Sequence, residues 1–99
     1  RGLGDVYKRQ VHAFVRTDDA YAWALHAAGR DEEALAAIDT ALSLGTRNAS
    51  FYFHSGMIKL ALGATDGARA DLTEAMEINP YFDPLDSVIA TETLATLNG

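Results

Sequence analysis

Residues 27–41 read AAGRDEEALAAIDTA and residues 61–75 read ALGATDGARADLTEA. Aligned, they share Ala27/Ala61, Gly29/Gly63, Ala34/Ala68, Ala36/Ala70 and Ala41/Ala75, all 34 residues apart. The apolar positions between and beyond them repeat too, with Ile38 over Leu72, Leu42 over Met76 and Leu44 over Ile78. A fixed period of this length, with no insertion, is the signature of a repeated helix-turn-helix unit. Such a unit cannot bury its apolar face alone, so it stacks on its neighbour.

Working outward, turn-forming residues set the helix limits. The sequence predicts a first helix capped by Thr17 or Asp18 and running to about Ala28, ended by a left-handed Gly29. Asp31 is expected to cap a second helix to Leu44, with Glu32 and Glu33 favouring the positive end of its dipole. A third spans about Ala49 to Leu62 after the 46–48 connection. Thr65 caps a fourth, which Asn79-Pro80 closes because a residue before proline is pushed out of helical geometry. Asp83-Pro84 opens a fifth helix to about Leu97, with proline at the first helical position. The expected architecture is an all-α solenoid of antiparallel helix pairs: repeat one over 18–48, repeat two over 49–82 and a capping helix over 83–97.

The segment before this unit is read differently. Arg1 to Gln10, RGLGDVYKRQ, resembles the in-frame translation of a transposase sequencing adapter and is set aside from fold and function. On that expectation the native sequence starts at Val11, 11–17 is a lead-in, and the gene continues upstream. The other reading is a genuine basic tail. From Val11 onward five basic residues face thirteen acidic ones, a net charge of −8, against −6 for the whole chain. Nucleic acid and anionic membranes require a basic footprint, so partners that are neutral or basic are expected. With no cysteine there is neither a disulfide framework nor a thiolate metal site. No apolar run reaches the roughly 18 residues of a membrane span.

Glycine at the turn within each pair, small residues where paired helices touch (Ala22, Ala34, Ala41; Gly56, Ala68, Ala75) and Asn79-Pro80 at the repeat end together resemble tetratricopeptide repeats. The match covers Thr17 to Pro80, and Asp83 onward is similar to the solvating helix that ends such arrays. Departures are Asp18 where an aromatic is usual, Thr46 where proline is usual and Lys59 where tyrosine is usual.

The resemblance implies a superhelix whose inner wall carries the ligand. Its wall positions fall on Asp19, Trp23, His26 and Ala27; on Ser50, Phe53, Met57, Leu60 and Ala61; and on Ser87, Thr91 and Leu94. Members that grip a chaperone C-terminal carboxylate do so with lysine, arginine and asparagine, whereas Asp19, Phe53 and Met57 stand here. A carboxylate clamp is therefore not expected, and an apolar peptide or helix is. At helical spacing Trp23, Phe53, Met57 and Leu60 also fit a core between repeats, and Tyr21, Phe51, Tyr52, Tyr81 and Phe82 fit packing or cap roles.

No catalytic constellation is visible. His12, His26 and His54 are the only histidines, and none has a second ligand at the i, i+4 spacing of a helical zinc site. Asp71, Glu74 and Glu77 read as a solvated stripe, and Gly63–Gly67 as a turn. Ser43, Ser50, Ser55 and Ser87 lack a nucleophile elbow, and no phosphate loop exists. The resulting expectation is a non-catalytic, cofactor-free scaffold for an unidentified protein or peptide. Its anchors would be Trp23, Phe53 and Met57, with Asp19 as a polar selector. Two alternatives stand beside it: an accessory or substrate-docking segment of an enzyme whose catalytic domain lies upstream, and a purely structural cap.

Overall fold

The computed structural model describes residues 15–45 and 47–98. The adapter-like segment, His12 and the start of the lead-in lie outside these residues. The described residues form five helices and no strand: α1 (Val15–Ala27), α2 (Asp31–Ser43), α3 (Ala49–Ala61), α4 (Thr65–Ile78) and α5 (Pro84–Asn98). Three-residue connections join α1 to α2 and α3 to α4; five-residue connections join α2 to α3 and α4 to α5. Connections this short make successive helices reverse direction.

The duplication extends to single backbone hydrogen bonds. The Arg30 N–H donates to the Leu25 carbonyl at 2.8 Å and the Ala64 N–H to that of Lys59 at 2.9 Å. Gly29 and Gly63 donate to His26 and Leu60, both at 3.0 Å. The two turns therefore close as the same paired C-terminal motif. It demands a left-handed residue, and Gly29 and Gly63 sit at φ 81° and 83°.

This motif also displaces two expected caps. Arg30 and Ala64 occupy the N-cap positions of α2 and α4 with no side-chain bond. Their carbonyls accept from Ala34 and Ala68, so Asp31 and Thr65 already lie inside their helices. Thr65 to Gly67 are thus helical, and the turn is confined to Leu62–Ala64. Thr17 and Asp18 likewise lie within α1. Side-chain caps occur at the two longer connections. Asn48 accepts from the Ser50 N–H at 2.8 Å, and Asp83 accepts from Leu85 and Asp86 at 3.1 and 2.8 Å.

Two apolar clusters hold the helices together. One joins Ala22 and Leu25 of α1 to Ala34, Ile38 and Ala41 of α2 and to Phe51 and Ile58 of α3. The other joins Ala49 and Phe53 to Leu72, Ala75 and Ala90. Small residues set the helix separation. Ala22, Ala34, Ala41, Ala68, Ala75 and Ala90 are all fully buried, and Ala22, Gly56 and Ala90 stand one period apart on successive odd-numbered helices. The α3–α4 crossing is close, since a β-carbon on Gly56 would lie 2.8 Å from Leu72 Cγ and 3.2 Å from the Ala68 carbonyl oxygen. Ser55 donates to Asp71 at 2.7 Å and Lys59 pairs with Asp71 at 2.8 Å. Asp71 is accordingly an interhelical partner and not part of a solvated stripe. The Lys59 stem also lies over Gly67.

The fifth helix carries apolar residues on more than its core side. Ile89, Ala90, Leu94 and Leu97 face the second cluster, yet Leu85 and Val88 on the same helix are exposed. Arg69 clasps its far end, donating to the Asn98 side chain at 3.0 Å and the Leu97 carbonyl at 3.2 Å.

Gly56→Ala should lower stability by about 1–3 kcal/mol through overpacking, against a helix-propensity gain of about 1 kcal/mol. Gly67→Ala, which meets only the flexible Lys59 stem, should be neutral or stabilising. Urea unfolding of both variants checks the contrast, and equal effects would contradict the close α3–α4 approach.

Candidate functional site

The geometry centres on Trp23, the only tryptophan. Its ring stacks on His54 of α3 with centroids 4.1 Å apart and on His26 of its own helix at 4.9 Å. Phe53 meets the same indole at 5.9 Å and Phe82 at 5.6 Å, extending the aromatic row to the α4–α5 connection. Residues 23 and 26 are one turn apart, so one His–Trp contact is intrahelical. The His54 contact is long-range and requires α1 beside α3.

Each histidine is held by a carboxylate. His54 Nδ1 lies 2.7 Å from Asp19 Oδ1, with both side chains only 12% exposed. His26 Nδ1 pairs with Asp31 across the first turn. Asp31 therefore braces a ring instead of capping a helix, and Asp19 ties α1 to α3. The two Nδ1 atoms are committed to separate carboxylates. Among the described residues no group of three or more histidine or acidic side chains could hold a metal ion.

The predicted wall positions separate into two layers. Trp23, His26, Ser50, Met57 and Leu60 are half-buried and share α1 and α3. Asp19 and Phe53 are buried, Phe53 at 1% exposure. Phe53 therefore supports the aromatic row from beneath and offers a ligand no surface, unlike the anchor expected of it. Asp19 is likewise occupied by His54 instead of standing as a free selector. Ala27 and Ala61 are exposed at the helix ends; on α5, Thr91 is exposed, Ser87 half-buried, and Leu94 half-buried against the core.

Electrostatics add one feature that the spacing did not reveal. Burial at the start of α5, and then the neighbouring Asp83, hold the Asp86 carboxyl above the ordinary carboxylate range, while His54 acts in the opposite sense. Arg30 before α2 pairs with Glu33 of that helix, and Arg47 of the α2–α3 connection pairs with Glu74 of α4, at largely solvated positions where such pairs contribute little.

Compared with protein-family models, with curated proteins and with solved structures, the chain gives no significant match.

Two outcomes follow from these pairings. Asp19→Ala leaves a partly buried imidazole without its acceptor and should cost about 1–3 kcal/mol, read by urea unfolding followed through Trp23 fluorescence. For Asp86 the folded pKa lies above the unfolded one, so the native state binds more protons and stability falls as pH rises through that range. Asp86→Asn should thus raise Tm at neutral pH, and the gain should fade on acidification until Asp86 is protonated. A constant difference across pH would contradict the assignment.

Proposed function

We propose that this chain is a non-catalytic interaction module of tetratricopeptide type. Its first and third helices would present one face to a peptide or helix of a partner protein. The observation that carries the reading is the half-buried row Trp23, His26, Met57 and Leu60 above a buried floor of Phe53 and Asp19. Half-buried apolar and aromatic groups on a braced floor lose little conformational entropy on docking, because their rotamers are already restricted. Trp23 is the best placed anchor, since aromatic residues fixed by neighbours dominate interface energetics.

The duplicated turns support the tetratricopeptide assignment. They give two helix pairs the same closure, and the 34-residue offset brings Trp23 of the first pair against His54 of the second. Partner chemistry follows from the residues of this face. It has apolar area, two imidazoles and no lysine or arginine among the five half-buried wall positions, so it suits an apolar segment rather than a free carboxylate.

Peptide-display selection against the folded chain tests this. Selected peptides should lose about tenfold or more in affinity on Met57→Gln combined with Leu60→Gln. They should be indifferent to Thr40→Gln, which is exposed on α2. Peptides that ignore the first pair of changes would contradict the proposed face, provided circular dichroism shows the variants folded.

A further inference from the structure

The duplication gives the helices of this chain a problem of partner choice. Ala22 and Gly56 on α1 and α3, with Ala34/Ala68, Ile38/Leu72 and Ala41/Ala75 on α2 and α4, build both helix pairs from similar sizes at the same spacing. All of them are buried. Helix α3 also lies against α2, because Phe51 and Ile58 share a cluster with Ile38 and Ala41. Apolar burial is non-directional, so it does not tell α3 to take α4 rather than α2 as the second helix of its pair. Arrays of like repeats are prone to misassembly of this kind.

The two pairs differ along one groove. Between α1 and α2 it is open and lined by Tyr21, Leu25, Glu33, Ala36, Ala37 and Thr40. One period later the same six positions hold Ser55, Lys59, Gly67, Ala70, Asp71 and Glu74. There a polar cluster closes it. The Ser55 hydroxyl, with no exposed surface, donates to Asp71 Oδ2 at 2.7 Å, and Lys59 Nζ reaches the same oxygen at 2.8 Å. The Lys59 stem occupies the space over Gly67. Among the described residues no buried side-chain nitrogen or oxygen lacks a partner.

Exchanging helices breaks this cluster. Against α2, Ser55 and Lys59 would meet Ala37 where they need a carboxylate. Helix α4, left without α3, would keep Asp71 without its hydroxyl and its amine. Leaving one side of a desolvated polar pair unmatched costs more than the matched pair contributes. Polar groups therefore discriminate between partners that apolar groups treat alike. We propose that the Ser55–Asp71–Lys59 cluster assigns α3 to α4, and that without it α3 also pairs with α2 and displaces α1. The inference concerns how the Trp23 face is assembled and holds whether or not a partner docks there.

Trp23, as the only tryptophan, gives one indole N–H resonance in the NMR spectrum for each slowly exchanging arrangement. The wild-type chain should show one. Ser55→Ala, Lys59→Leu and Asp71→Ala together give the second groove the apolar character of the first. A second resonance should then appear at about a tenth or more of the intensity, without nuclear Overhauser contact to His54. Ala37→Asp combined with Asp71→Ala moves the carboxylate to α2 and should make the second resonance the major one. Arg47→Gln, which removes only a largely solvated pair, should leave a single resonance. A single native resonance that keeps its His54 contact in either combined variant would overturn the inference. So would loss of helical circular dichroism in the triple variant, because the cluster would then hold the whole fold instead of choosing between helices. A second resonance that disappears on dilution would assign it to self-association, and one in Arg47→Gln would assign it to the loss of any ion pair. Either result would overturn the inference as well.

Discussion

Side-chain size where helices cross is the constraint on which the other contacts depend. At Gly56 the backbone of α3 approaches α4 so closely that one added carbon would meet both Leu72 and the Ala68 carbonyl. Ala22 and Ala90 hold the equivalent positions on α1 and α5, each without exposed surface. Backbones at this separation bring the longer side chains beside the crossing into reach of the next helix. Ser55 and Lys59 then meet Asp71, while Phe53 packs into the cluster containing Leu72 and Ala75. The Asp19–His54 pair and the Trp23 stack likewise require α1 to lie close to α3.

What was legible in the sequence was what local geometry decides. Gly29 announced left-handed backbone and adopts it, as do Gly45 and Gly63. Asn79-Pro80 and Asp83-Pro84 marked an end and a start through proline's fixed φ and missing N–H, and α4 ends and α5 begins accordingly. The caps at Asp31 and Thr65 were misplaced because a three-residue turn closed by paired backbone bonds starts the next helix at those residues, leaving no position for a side-chain cap. Asn48 was passed over as mere connection. An asparagine directly before a helical run is the ordinary N-cap signal and could have identified it.

Long-range pairing was beyond sequence reasoning. Nothing local indicates that Asp19 meets His54, 35 residues away, or that Asp71 leaves its apparent acidic stripe for Lys59. Trp23 and Phe53 could not be separated by periodicity, since both fall on the same face of equivalent helices. Burial separates them: Trp23 keeps part of its surface and Phe53 keeps almost none. Helix α5 defied the pattern for a similar reason. Its apolar residues are spread around the helix, so no single face announced which side would be covered.

The account stands on α1 and α3 lying side by side, because that contact makes the half-buried face that the functional proposal uses. The most direct measurement is a set of NMR nuclear Overhauser contacts from the Trp23 indole. Contacts to the rings of His26, His54 and Phe53 together are predicted, since the last two exist only when the repeats stack. Contacts to His26 alone, which a lone helix would give, would contradict the stacked arrangement and the docking face built on it.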